Sequence, residues 1–178
     1  RLSARNFIIA VGTRPFIPDI QGLEDVDYLT NETLYSLDDV PKSLVILGGG
    51  VDGLEYASAF SGLGARVTVV ERAGALLPLA EAEIVDRLLS ILEADGIEII
   101  TGATTESVRP TDTGISLAVR TPDGSSREIR AERILVAVGR KPDIEGLDLE
   151  KAGVRWNARG IPTDGKLRTS VPHIYACG

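Results

Sequence analysis

Three glycines and one carboxylate are spaced for chemistry on a phosphate-bearing ligand. Gly48, Gly50 and Gly53 form G-x-G-x-x-G within Ser43-Leu-Val-Ile-Leu-Gly-Gly-Gly-Val-Asp-Gly-Leu-Glu55. In such a turn the first glycine allows the tight bend, the second lets backbone approach a pyrophosphate, and the third lets helix and strand pack closely. Unpaired amides and the positive end of the helix dipole then hold the pyrophosphate. The candidate pyrophosphate residues are therefore Gly48, Gly50, Val51, Asp52 and Gly53. Glu71 ends the next apolar run, at about the twenty-residue spacing where a carboxylate accepts both hydroxyls of an adenine ribose. It would also repel the extra phosphate of NADP, which favours NAD. Arg72 tempers that preference, because it either pairs with a surface carboxylate or reaches toward adenine or a 2′-phosphate. A lone glycine motif is weak evidence, and its bland alternative is a structural βαβ turn with a surface glutamate.

The elements that position these residues follow from the pattern. Residues 44–47 are a continuous apolar run, as a strand buried on both faces requires. Leu54, Ala57, Phe60 and Leu63 recur at helical spacing up to Gly64, a good C-terminal stop. Residues 67–70 form a second apolar strand. A second helix is expected over 81–94, with Ile84, Leu88, Ile91 and Leu92 on one face and Glu81 and Glu83 at its favourable end. Ile97-Glu-Ile-Ile100 is a third strand and completes a βαβαβ unit. Residues 104–109, 115–120 and 127–130 then alternate branched and polar residues between turns at Asp112-Thr-Gly114 and Pro122-Asp-Gly124. That reads as an antiparallel meander lying over the sheet. Residues 133–138 return as a buried strand ending at Gly139.

Upstream, residues 7–11 read as a short apolar strand. Pro15, Pro18 and Gly22 keep residues 13–23 out of regular structure. Asn31 or Thr33 caps a short helix through Leu37, and Pro41 stops it. Ala10-Val-Gly-Thr-Arg-Pro15 and Ala137-Val-Gly-Arg-Lys-Pro142 share one form. Gly12 and Gly139 thus mark strand ends that either pass close to a ligand or simply exit into loops.

Composition narrows the classes. With 178 residues and 43% apolar content the chain can build a real core as one large or two small domains. A net charge of −7 argues against a nucleic-acid or anionic-membrane partner. No run reaches the eighteen or so apolar residues of a membrane span, and no signal peptide opens the chain, so a soluble cytoplasmic protein is expected. One cysteine, Cys177, excludes an internal disulfide and a redox-active pair, and the single histidine, His173, has no second ligand for a metal site. Cys177 lies in an apolar strand, where small buried cysteines are common. Trp156 reads as ordinary packing.

These residues together resemble the middle of the pyridine nucleotide-disulfide oxidoreductases, the family of dihydrolipoamide dehydrogenase and mercuric reductase. The likeness rests on Ile8-Ile-Ala-Val-Gly-Thr-Arg-Pro15, Leu29-Thr-Asn-Glu-Thr33, Pro41-Lys-Ser-Leu-Val-Ile-Leu-Gly-Gly-Gly50, Gly53-Leu-Glu55, Val67-Thr-Val-Val-Glu-Arg72, Leu76-Leu-Pro78, Ala137-Val-Gly-Arg-Lys-Pro142 and Leu167-Arg-Thr-Ser-Val-Pro-His-Ile-Tyr-Ala-Cys-Gly178. It spans essentially the whole chain. Residues 29–47 look most like the mercuric-reductase branch.

The resemblance implies an α/β, Rossmann-like FAD/NAD(P)-binding fold, with a βαβαβ parallel sheet and an antiparallel β-meander. It assigns residues 30–140 to an NAD(P)-binding domain and residues 1–29 and 141–178 to flanks of an interrupted FAD-binding domain. In such enzymes a reduced nicotinamide passes hydride to flavin, which reduces a disulfide or another acceptor. By analogy Gly48, Gly50 and Gly53 meet the pyrophosphate, Glu71 the adenosine ribose, Glu55 the nicotinamide end, and Gly139 the nicotinamide itself. Glu55 also has the plain reading of a solvated helix residue. Asp52 departs from the family, which has an apolar residue there; its carboxylate can satisfy the helix amides itself and repel pyrophosphate. The family's FAD glycine motif, its C-x4-C disulfide and its dimerisation domain are missing from these residues. The expectation is an excised piece of a homodimeric flavoprotein that binds NAD(H) but turns over little alone, with FAD belonging to the intact parent. The alternatives are an NADH oxidase-type flavoprotein without a redox disulfide and a non-catalytic nucleotide-binding redox sensor.

Overall fold

The computed structural model describes residues 3–178. In chain order its strands are β1 (Phe7–Ile9), β2 (Thr13–Pro15), β3 (Ser43–Leu47), β4 (Arg66–Val70), β5 (Glu98–Ile100), β6 (Thr104–Thr111), β7 (Gly114–Arg120), β8 (Ser126–Ala131), β9 (Arg133–Val136), β10 (Arg140–Pro142) and β11 (Ile174–Ala176). The helices are α1 (Val51–Gly62) and α2 (Ala82–Ala94). Two compact units emerge, Ile17–Gly139 and a second formed by the residues up to Phe16 together with Arg140–Gly178.

The larger unit is a parallel sheet in the order β5-β4-β3-β9. Its strands are short apolar runs because both faces are covered, and successive side chains divide between the two. From β3, Leu44 and Ile46 join Val67, Val69 and Leu135 against α1 and α2, where Leu54, Ala57, Phe60 and Leu92 meet them. Val45, Leu47, Val70, Ile134 and Val136 face the other way, onto Val108, Ile115, Leu117, Val119 and Ile129 of the meander. The meander, in the order β6-β7-β8, therefore covers the face that a second layer of helices takes in a doubly wound sheet. The unit starts earlier than residue 30, because Leu23, Val26 and Leu29 are buried in its core and Leu29 bridges to Leu135.

Local expectations shift in places. The inward stripe of α2 is Val85, Leu88, Leu89 and Leu92, while Ile84 and Ile91 are exposed. Stripes starting at 84 and 85 overlap at 88 and 92, so periodicity alone does not choose between them. The expected short helix near residue 34 is a single 3-10 turn, Leu34–Ser36, and Thr33 caps no amide of it. Its hydroxyl instead accepts from the Thr30 amide at 2.9 Å.

The smaller unit contains two ribbons, β1 parallel to β11 and β2 antiparallel to β10. Residues 13–15 are thus not irregular: the two copies of the A-V-G-x-basic-P form pair with each other, Lys141 opposite Arg14. Pro15 is tolerated because this is an edge pair needing few donors. Arg140 fastens it, its guanidinium donating to the Thr13 hydroxyl at 2.6 Å and the Thr13 carbonyl at 2.7 Å. A small core of Leu149, Val154 and Ile174 lies nearby in the same unit. Ile8 is 71% exposed, since a two-stranded ribbon covers little.

The meander carries a titratable contact. The Glu128 carboxylate accepts from the buried Ser116 hydroxyl at 2.6 Å, and from Arg109 and Arg130, which together lower its pKa from 4.5 to about 2. A depressed carboxylate stabilises above its unfolded pKa and loses that contribution as pH falls from about 4.5 towards 2. Glu128→Gln is expected to remove this part of the acid sensitivity, read as a flatter melting-temperature profile between pH 5 and 2 than the parent chain shows.

Candidate nucleotide-binding site

The turn between β3 and α1 is built by close backbone approach. Gly48 has φ 109°, and a Cβ there would stand 2.4 Å from the Ala137 carbonyl oxygen at the end of β9. A Cβ on Gly53 would stand 2.0 Å from the Gly48 carbonyl oxygen, so helix and strand meet only because position 53 has no side chain. Gly50 differs: a Cβ there meets nothing within 4 Å. The three glycines divide as tight bend, open approach and close packing.

The amides at the start of α1 complete the arrangement. Leu54 makes the first helical bond, to the Gly50 carbonyl at 3.0 Å, and Gly50 caps the helix with no side-chain bond. Among the described residues the amides of Gly50, Val51, Asp52 and Gly53 find no acceptor. Val51 and Asp52 are exposed, so these donors end a buried sheet and open to solvent. Free amides at the positive end of a helix have the chemistry to hold an anion.

Glu71 sits at the end of β4 and holds the turn. One carboxylate oxygen accepts from the Gly49 amide at 2.6 Å, the other from the Ala73 amide at 2.6 Å. Each oxygen keeps a second lone pair for a further donor such as a ribose hydroxyl. Gly49 was not among the expected site residues, yet its Cβ would stand 2.4 Å from Leu76 Cδ2 and 3.1 Å from Glu71 Cβ. The signal for it was the extra glycine between Gly48 and Gly50.

The remaining candidates separate. Asp52 caps no amide: its side chain is exposed, and the expectation that it satisfies the helix start is corrected. Its charge, with that of Glu55, instead helps keep the Tyr56 phenol protonated, after burial and the facing Tyr35 phenol, so that Tyr56 is raised to about 12. Glu55 is exposed on the second turn of α1. Arg72 is exposed and forms no ion pair among the described residues. Gly12 and Gly139 each have open space where a Cβ would be. Outside the larger unit, Cys177 is exposed rather than buried in its strand, because β11 ends at Ala176. Trp156 is a surface residue whose indole donates to Glu150 at 2.8 Å, and His173 lies edge-on to Phe7. No group of three or more His, Cys, Asp or Glu able to hold a metal occurs among the described residues.

Comparison with known proteins matches this geometry to characterised relatives. Residues 1–178 match the family described as pyridine nucleotide-disulphide oxidoreductase. The chain is 39% identical over 175 residues to dihydrolipoyl dehydrogenase of Bacillus subtilis, covering 98% of this chain and 38% of that protein. It is 40% identical over 178 residues to mercuric reductase of Streptomyces lividans, covering 99% of this chain and 37% of that protein. In structure it resembles the HOCl-induced flavoprotein disulfide reductase RclA from Escherichia coli, with a TM-score of 0.88 and 30% identity over 97% of this chain and 39% of that one. The chain thus spans under two fifths of the length of these relatives.

The glycines make unequal demands. Gly53→Ala is expected to cost about 3 kcal/mol or more in denaturant unfolding, because backbone must move to admit its Cβ. Gly50→Ala is expected to cost about 1 kcal/mol, the ordinary loss of a glycine N-cap. Equal losses would show that the close approach at Gly53 is readily relieved.

Proposed function

The chain belongs to the pyridine nucleotide-disulphide oxidoreductase family, and from that premise we propose that its Ile17–Gly139 unit binds NAD(H) as the electron-donor site of a flavin-dependent oxidoreductase. The observation that carries the reading is the row of free amides from Gly50 to Gly53 opening beside a side-chain-free Gly50. The pyrophosphate lies on those amides, with the α1 dipole opposing its charge. The adenosine ribose lies at Glu71, whose spare lone pairs accept its hydroxyls while the Gly49 and Ala73 bonds stay in place. When bound, the reduced nicotinamide supplies a hydride for flavin N5.

The chain's own residues bind, orient and discriminate. Glu71 repels a 2′-phosphate, so NAD is preferred to NADP, and exposed Arg72 offsets part of that preference. Glu55 faces the nicotinamide end from the second turn of α1, and Gly139 leaves room for the ring. The residues up to Phe16 and Arg140–Gly178 belong to the flavin-binding portion of a longer, dimeric parent that also holds FAD and the terminal acceptor site. Support for a parent of that kind comes from the lengths of the relatives, of which this chain covers under two fifths.

Isothermal titration of the chain with NADH and, separately, NADPH tests the reading. NADH is expected to bind more tightly, and Glu71→Ala to weaken it by roughly tenfold or more, the loss of charge-assisted hydrogen bonds. Absence of binding by both nucleotides overturns the proposal. Asp52 stands beside the pyrophosphate seat without capping it, so its charge acts only against the ligand. Asp52→Ile is expected to tighten NADH binding about two- to fivefold, an effect of helix-terminus size that shrinks with added salt.

A further inference from the structure

The smaller unit holds a cavity that the nucleotide reading leaves unused. Its volume is about 590 Å³, within the range of small-molecule sites, and every residue lining it belongs to this unit. Phe16, Pro142, Ile144, Leu149, Trp156 and Ala158 give it an apolar interior. Leu149 is buried, whereas Phe16 and Trp156 are 46% and 50% exposed. Two aromatic side chains therefore open onto solvent beside a packed floor.

The wall that carries Trp156 is fixed on both sides of it. Before it, the Val154 amide donates to the Leu149 carbonyl at 3.0 Å and the Arg155 amide to the Ser170 hydroxyl at 2.9 Å. After it, Asn157 and Gly160 exchange backbone bonds of 2.9 Å each. Gly160 has φ 111°, and a Cβ there would stand 3.2 Å from Cγ of Pro142, another lining residue. The indole N–H donates to Glu150 at 2.8 Å, which sets the plane of the ring. Trp156 thus offers a flat surface that is ordered before any ligand arrives, which lowers the cost of binding.

The polar rim selects the ligand's charge. Each lining carboxylate already has a donor: Glu145 pairs with Arg14, Asp148 with the Lys151 ammonium at 2.6 Å, and Glu150 with the indole. The Arg140 guanidinium is engaged with Thr13. Lys141 differs. Its ammonium stands 3.8 Å from Glu145, beyond hydrogen-bond distance, and donates no hydrogen bond to the described residues. An ammonium carries three donors and no acceptor, so the group it lacks is an anion.

We propose that this cavity binds a small planar aromatic carboxylate, with its ring against Trp156 and Phe16 and its carboxylate on Lys141. The inference shares no residue with the glycine turn and does not rest on nucleotide binding.

Trp156 is the single tryptophan of the chain, so its emission reports on this cavity. Titration of the full chain with benzoate is expected to change that emission saturably, with an affinity on the order of millimolar, as a ligand of so few atoms allows. Benzylamine, of opposite charge, and cyclohexanecarboxylate, without the flat ring, are expected to bind about fivefold or more weakly. Lys141→Gln is expected to weaken benzoate about fivefold to tenfold, while the emission of the free chain and its melting temperature stay unchanged. Trp156→Leu, followed by calorimetry, is expected to weaken benzoate to a similar degree. Absence of a saturable response to benzoate by emission and calorimetry overturns the proposal. So does benzylamine binding as tightly as benzoate, or unchanged benzoate affinity in Lys141→Gln. Equal affinity for cyclohexanecarboxylate overturns the flat ring as the recognised feature.

Discussion

The structure of the larger unit depends on one close approach, that of α1 to the end of β3. The Gly48 carbonyl oxygen occupies the space in which residue 53 would carry a Cβ, and Ala137 presses on Gly48 from the other side. Backbone packed this tightly fixes where the helix starts and leaves its first amides with no internal partner. Everything the site does follows from that: the free donors, the direction of the helix dipole and the open approach at Gly50.

A second layer of constraint comes from the loop after β4. Glu71 joins that loop to the glycine turn through the Gly49 amide, and the Leu77 amide returns a bond to the Gly49 carbonyl. Gly49 is therefore held from both sides. The same carboxylate, through its other oxygen, fixes the Ala73 amide, so Glu71 ties the loop and the glycine turn together. The electrostatics are correspondingly mixed. The chain is acidic overall, and Asp52 and Glu55 lie on the first turns of α1 while Glu71 holds the turn before it. The helix amides offset this locally, because they act at contact distance, whereas exposed charges are screened by solvent and salt.

The meander explains how a sheet with helices on only one side remains buried. Leu117 and Val119 of β7 are fully buried over Val45, Leu47 and Ile134, so the central positions of the parallel strands are apolar on this face as well. Polar contacts at its rim, such as Glu128 with Ser116 and Glu98 with Thr68 and Arg127, satisfy groups at the edges of this layer. Left-handed backbone at non-glycine residues lies outside this layer, at Leu77 beside the glycine turn and at Asp148 and Leu167 in the smaller unit.

The sequence by itself determined the elements whose signal is local. Runs such as residues 44–47 and 67–70, the glycine spacing at 48, 50 and 53, and the alternation through 104–130 made the α/β fold legible, while the family was legible as a resemblance carried by motifs along the whole chain. Tertiary structure decided what depends on neighbours distant in the chain. Which stripe of α2 faces inward depended on the sheet beneath it, since two overlapping stripes satisfy the same period. Pairing of residues 13–15 with 140–142 joins segments separated by most of the sequence, and no local pattern announces it. Asp52 was legible as a charge at a helix start but not as one that leaves the amides free. The need for Gly49, and the left-handed backbone at Leu77 beside it, arise from contacts between two loops that meet only once the sheet has formed.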